Sequence, residues 1–162
     1  MPTTISSILV PVDGSPSSLA ALDHAVVLAE DYGARIVLLH IIPDKDPLSP
    51  QARNEVERAM DEGVDRARTS LGTRLVRRTV IGDPVREILA AAQLEADMIV
   101  MGTHGHVGRL HAILGSVAEG VVRNAPCPVL TVRDSVGGYQ SFAERRHGRP
   151  SVGDTGSSVG RH

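Results

Sequence analysis

Hydrophobic positions along this chain fall into two alternating patterns. Five short stretches are apolar on nearly consecutive positions: Ile5–Val12 (ISSILVPV), Arg35–Ile42 (RIVLLHII), Leu75–Val80, Asp97–Met101 (DMIVM) and Pro128–Val132 (PVLTV). Runs of this length predict strands buried on both faces, as in a parallel sheet. Between them, apolar residues recur every three or four positions. Leu19, Leu22, Val26 and Ala29 define one helical face; Val56, Met60, Val64, Ala67 and Leu71 define a second. Val85, Ile88, Leu89 and Ala92 define a third, and Ser116–Arg123 predicts a short last helix.

Punctuation supports these elements. Ser15 is placed as an N-cap with Pro16 at the first helical position, and Gly33 closes that helix. The second helix begins at Ser49, after a proline-rich loop (PDKDPLSP). Asp83 caps a third helix that Pro84 starts. Ser116-Val-Ala-Glu119 fits a capping box with Ser116 as the N-cap. Strands alternating with helices predict an α/β fold. The expectation is a single-domain, open, five-stranded parallel sheet in the order 3-2-1-4-5, with helices on both faces, Rossmann-like or flavodoxin-like. The domain spans 1–133. From Asp134 apolar periodicity is lost and Gly, Ser, Arg and His dominate, so 134–162 reads as a disordered tail.

Composition narrows the classes further. The 162 residues suit one domain with a sizeable core. Aromatic residues are 2%, there is no Trp and Phe142 is the only Phe, which argues against base-stacking surfaces for single-stranded nucleic acid. A net charge of −2 provides no broad basic field for nucleic acid or membrane. Cys127 is the sole cysteine, so no internal disulfide forms, and its place in PCP before an apolar run reads as a packed thiol. Met1–Ser7 does not resemble a signal peptide and no run is long enough to span a bilayer, so the expected location is the cytoplasm.

In the assumed strand order, the switch point lies between strands one and four. That sets Asp13-Gly14-Ser15 against the segment MGTHGHVGRLHAILGS, residues 101–116. Gly102, Gly105 and Gly108 permit backbone angles closed to other residues and close approach of a ligand. Gly115-Ser116 leads into a helix start, where unpaired N–H groups and the helix dipole favour an anion, and Arg109 adds charge. Asp13 has two readings: it stabilises the turn, or it accepts hydrogen bonds from ribose hydroxyls or an adenine amino group.

Competing motifs do not fit. Walker A, GxGxxG and GxSxG are absent, and Lys45, the only lysine, is far from any glycine loop. His104, His106 and His111 lack the spacing of a standard zinc site. Thr103-His-Gly-His106 looks like the TxGH of nucleotidyltransferases, but it follows the fourth strand instead of the first.

Gly102-x2-Gly105-x9-Gly115-Ser116 resembles the nucleotide-binding signature of the universal stress protein family, in its ATP-binding branch. ILVPVDGSPSSLAAL, LLHIIPD, IGDPVREIL and ADMIVMGTHGHVGRLHAILGSVAEGVVRNAPCPVLTVR are similar to that family over residues 3–133. The resemblance implies a five-stranded α/β domain that binds ATP. By position, Pro11, Val12 and Asp13 would contact adenine and ribose, and Ile41 would pack on the adenine. Met101 and Gly102 would line the ribose side. Gly105, Gly115, Ser116 and Val117 would hold the phosphates, with His106 and Arg109 at variable positions beside them. A divalent ion, Mg or Mn, would bridge the phosphates. Family members commonly form a homodimer through the last strand, here 128–132.

The expected function is an ATP-binding stress-response regulator or sensor that acts as a homodimer, with no catalytic residue and no metal ligand of its own. ATP would shift the loops at 43–50 and 102–115 between mobile and ordered states. Two alternatives stand beside it. A slow ATP hydrolase, at most weakly active, lacks an evident general base. A nucleotide-free dimeric adaptor fits poorly with intact glycine spacing.

Overall fold

The computed structural model describes residues 4–105 and 113–134, together with Arg145. The strands are β1 (Ser7–Val12), β2 (Arg35–Ile42), β3 (Leu75–Ile81), β4 (Met98–Gly102) and β5 (Val129–Val132). The helices are α1 (Pro16–Tyr32), α2 (Pro50–Leu71), α3 (Pro84–Glu95) and α4 (Ser116–Asn124), with a 3₁₀ turn at Gly72–Arg74. The sheet order is β3-β2-β1-β4-β5 and every pairing is parallel, as the strand pattern predicts.

Side chains alternate between two cores. Ile8, Val10, Ile36 and Leu38 face α1 and α2, where Leu22, Val26, Val56, Met60 and Val64 meet them. Leu9, Val37, Leu39 and Ile99 face the other way, toward Ile88 and Ala92 of α3 and Ala118 and Val121 of α4. Both faces are thus covered, and the central strand β1 is buried along its whole length. The predicted apolar stripe of α2 is buried in full, with Gly63 added. In α3 only Ile88 and Ala92 of the predicted face are buried.

Caps set the helix starts. Ser15 and Ser49 accept bonds from Ser18 N–H at 3.3 Å and Ala52 N–H at 3.2 Å. Asp83 accepts from Arg86 N–H at 2.9 Å. At the amino end of the sheet, Asp97 accepts from Ser6 N–H (3.0 Å), the Ser6 hydroxyl (2.9 Å) and Ser7 N–H (3.0 Å). These bonds from Ser6 lead in holding its carboxyl below the usual carboxylate range. Cys127 is half-buried against the second core, and burial, followed by the charge of Asp97, pushes its thiol up.

The two sheet edges differ. β3 carries Arg77, paired with Asp61 and Glu57 of α2, and Arg78, paired with Glu95 of α3. The other edge, β5, is VLTV and carries no charge.

Candidate functional site

β1 pairs with β4 over Ile8–Met98 and Leu9–Ile99, near their amino ends, so the two strands part toward their carboxyl ends. A cleft of about 290 Å³ opens there. Pro11, Val12, Asp13, Ile41, Met101, Gly102, Gly105, Gly115, Ser116 and Val117 all line it. Gly108, His111 and the predicted site residues His106 and Arg109 lie outside the described residues.

The turn after β1 is built from short polar residues. Gly14 has φ +76, and a Cβ there would meet Val56 Cγ1 at 2.8 Å and Val56 O at 3.1 Å. Glycine is therefore needed both for the backbone and for contact with α2. Asp13 Oδ1 accepts the Ser15 N–H at 3.0 Å, which realises the turn-stabilising reading of Asp13. Its carboxylate nonetheless forms part of the cleft wall.

The last residue of β4 and the segment after it are pressed against this turn. A Cβ on Gly102 would sit 2.7 Å from both Ser17 C and Ser18 N. A Cβ on Gly105 would sit 2.5 Å from Asp13 Oδ2. Neither residue has a positive φ, and Gly115 has φ −70. The expectation that Gly102 and Gly105 serve unusual backbone angles is thus corrected: the chain's own first turn of α1 and Asp13 occupy the room that side chains would need. Hydrogen bonds lock the contact. The His104 carbonyl accepts from the hydroxyls of Ser15 (3.2 Å) and Ser17, and His104 N–H donates to Ser17 Oγ at 3.3 Å. Thr103 N–H donates to Val132 O at 3.0 Å, and Gly115 N–H donates to Thr103 O at 2.7 Å. One network therefore joins the β1 turn, the β4 loop, the end of β5 and the entry to α4.

The start of α4 corrects a second expectation. Gly115, not Ser116, is the N-cap, and no side chain caps the helix. Ser116 is the first helical residue and is exposed. Glu119 does not close a capping box; its carboxylate pairs with Arg123 at 2.9 Å. The first N–H groups of α4 thus have no side-chain cap, at a helix end that borders the cleft through Ser116, Val117 and Ala118.

Leu39, Ile41, Pro84, Ile88 and Met101 supply an apolar wall. The loop before α2 supplies another side through Pro43, Pro47 and Leu48, and Asp46 there pairs with Arg53 at 2.9 Å. The sequence pattern does not reveal the serines of DGSPSS as cross-loop donors, the buried His40, or Thr103 as the residue that joins β5 to the α4 entry. Three hydroxyls within four residues of one helix start were the available signal for the serines. His104 lacks a zinc spacing in the sequence, and in the structure it is its backbone that ties the loops together. Among the described residues, no group of three His, Cys, Asp or Glu side chains is placed to hold a metal ion.

These features define a class: a single-domain parallel α/β protein with a built cleft at the switch point of its sheet. Residues 4–133 match the model of the universal stress protein family, and the chain belongs to that family. A universal stress protein of Methanocaldococcus jannaschii is 34% identical over 139 residues, spanning 78% of this chain and 81% of the relative. One from Thermus aquaticus is 40% identical over 139 residues, spanning 78% of this chain and 98% of the relative. A universal stress protein solved in complex with cAMP superposes with a TM-score of 0.64 at 27% identity, covering 82% of this chain and 100% of that one.

Proposed function

We propose that the chain is an ATP-binding regulator or sensor of the stress response, acting in the cytoplasm as a homodimer. The observation that carries this reading is the meeting of Asp13 with Gly105 across the cleft, beside an α4 start that no side chain caps. The apolar wall around Ile41 suits a nucleobase, and Pro11, Val12 and Asp13 suit the base and ribose. Met101 and Gly102 follow on the ribose side. Gly105, Gly115, Ser116 and Val117 surround the place where phosphates would meet the α4 amino terminus. The exposed Ser116 hydroxyl, free of a capping bond, is suited to a phosphate oxygen. His106 and Arg109 join them by sequence position alone.

A relative's complex with cAMP supports adenine nucleotides as the ligand class. A divalent ion, Mg or Mn, would reach the site on the phosphates. The nucleotide domain spans 1–133, where the family match also ends. No helix among the described residues is long and apolar enough to cross a membrane.

The test is direct. Nucleotide released by acid from freshly purified protein is identified by absorbance and mass, and ATP binding is measured by calorimetry. Saturable ATP binding is expected, weakened in Gly115→Ala, whose new Cβ would lie 3.2 Å from Thr103 O at the phosphate end. Absence of saturable binding at millimolar ATP overturns the reading.

A further inference from the structure

His40 is a polar residue inside an apolar strand, only 7% exposed. A buried imidazole must find a partner, and this one finds it at Nδ1. Its Nδ1 lies 3.0 Å from the Val12 carbonyl oxygen. A carbonyl can only accept, so Nδ1 carries the proton and donates. Its Nε2 faces Glu57 Oε1 of α2 at 3.8 Å, and Glu57 is held in turn by Arg77 of β3 at 3.2 Å.

The peptide that His40 grips is the one that leads into the cleft. Its oxygen is Val12 O; its nitrogen is that of Asp13, whose N–H points to Ser18 Oγ at 3.4 Å. The Val12–Asp13 peptide is therefore held on both edges: its oxygen accepts the imidazole as a second donor beside the ladder bond that the Val12–His40 register gives it from Ile41 N–H, and its N–H meets a hydroxyl of α1. A peptide plane held on both edges cannot rotate without breaking a bond. Its orientation sets where the Asp13 carboxylate stands.

We propose that His40 is a positioning residue for the cleft: its Nδ1–H fixes the Val12–Asp13 peptide and so aims Asp13 at the bound ligand. The importance of Asp13 to a nucleotide rests on the function proposed above; the clamp itself does not.

Three variants separate the clamp from simple packing. The amide nitrogen of Asn can take the place of Nδ1, that of Gln reaches the place of Nε2, and Leu fills the space without a donor. The backbone amide shifts of Asp13 and Gly14 are read by NMR in protein without added nucleotide. They are expected to stay near wild type in His40→Asn and to move in His40→Gln and His40→Leu. The imidazole ¹⁵N shifts of the wild type are expected to show the proton on Nδ1. ATP affinity is expected to follow, nearly kept in His40→Asn and about tenfold weaker in the other two, the cost of one lost hydrogen bond. Unchanged Asp13 and Gly14 shifts in His40→Leu, or His40→Asn behaving as His40→Leu does, overturns the clamp. If the wild type takes no ATP, the amide shifts still decide the clamp, and only the nucleotide reading falls.

Discussion

Gly102 excludes a side chain because backbone atoms of α1 stand where a Cβ would go. Ser17 C and Ser18 N, each 2.7 Å from that point, belong to a capped helix end and cannot move aside cheaply. Gly102→Ala is therefore expected to destabilise the fold by roughly 1–3 kcal/mol, the usual range for overpacking. Urea denaturation measures this, and a loss under a few tenths of a kcal/mol would contradict the contact. At the amino end of the sheet, Asp97 gives a pH-dependent counterpart. Its pKa is depressed in the fold from an ordinary 3.8 by the Ser6 and Ser7 donors. A depressed carboxylate contributes stability that is present above the unfolded pKa and is lost as pH falls through the folded one. The stability gap between wild type and Asp97→Asn should hold at neutral pH and shrink below pH 3.8. A gap that widens in acid would show that the three donors do not favour the charged form.

Helix starts at α2 and α4 make an instructive pair. Ser49 caps α2 through Ala52 N–H, whereas Ser116 caps nothing. Ser49→Ala should thus cost about 1 kcal/mol of stability. Ser116→Ala should leave stability unchanged while weakening ATP binding. Thermal melts and calorimetry on the two variants check both halves; equal destabilisation would restore Ser116 as a cap. The same pair shows what could be read from the chain. The α2 start follows from Ser49, and its buried stripe from Val56 to Leu71 follows from 3.6-residue periodicity, because that one face turns to the core that α1 and the sheet share. The capping box at Ser116-Val-Ala-Glu119 misled. Residue types allow that cap, but Gly115 takes the cap position while its N–H bonds to Thr103 O, and Arg123 draws Glu119 away. The cleft's position was legible from topology alone, since Asp13 follows β1 and Gly102 ends β4 at the switch point. The hydroxyl bonds from Ser15 and Ser17 to His104 were not, because they join segments 89 and 87 residues apart and depend on a contact that no local pattern encodes.

At the scale of the whole molecule, the two edges of the sheet decide how copies can meet. β3 is guarded: Arg77 and Arg78 stand on it in ion pairs, and charged side chains at an edge discourage pairing. β5 has no such guard. Pro128 O accepts from Ile99 N–H of β4, and Val132 O from Thr103 N–H just past its end. In a strand, successive residues direct their peptide groups to opposite sides, so those of Val129 and Thr131 point away from β4, toward the edge that no described strand pairs. That is the edge a partner's β5 would use in the proposed homodimer. Thr131→Pro removes an outward N–H while leaving the β4 ladder intact, a place where an edge strand tolerates proline. Sedimentation equilibrium should find the wild type at twice the 17.2 kDa chain mass and Thr131→Pro at the single mass, both with the same circular dichroism. A monomeric wild type would remove the homodimer from the proposal. A variant that stays dimeric would move the interface off β5, and the uncharged edge would then need another explanation. Because Val132 O also holds Thr103 at the cleft, dimerisation through β5 would steady the same network that joins Ser17, His104 and Gly115. Thr131→Pro should accordingly bind ATP more weakly than wild type although position 131 does not line the cleft.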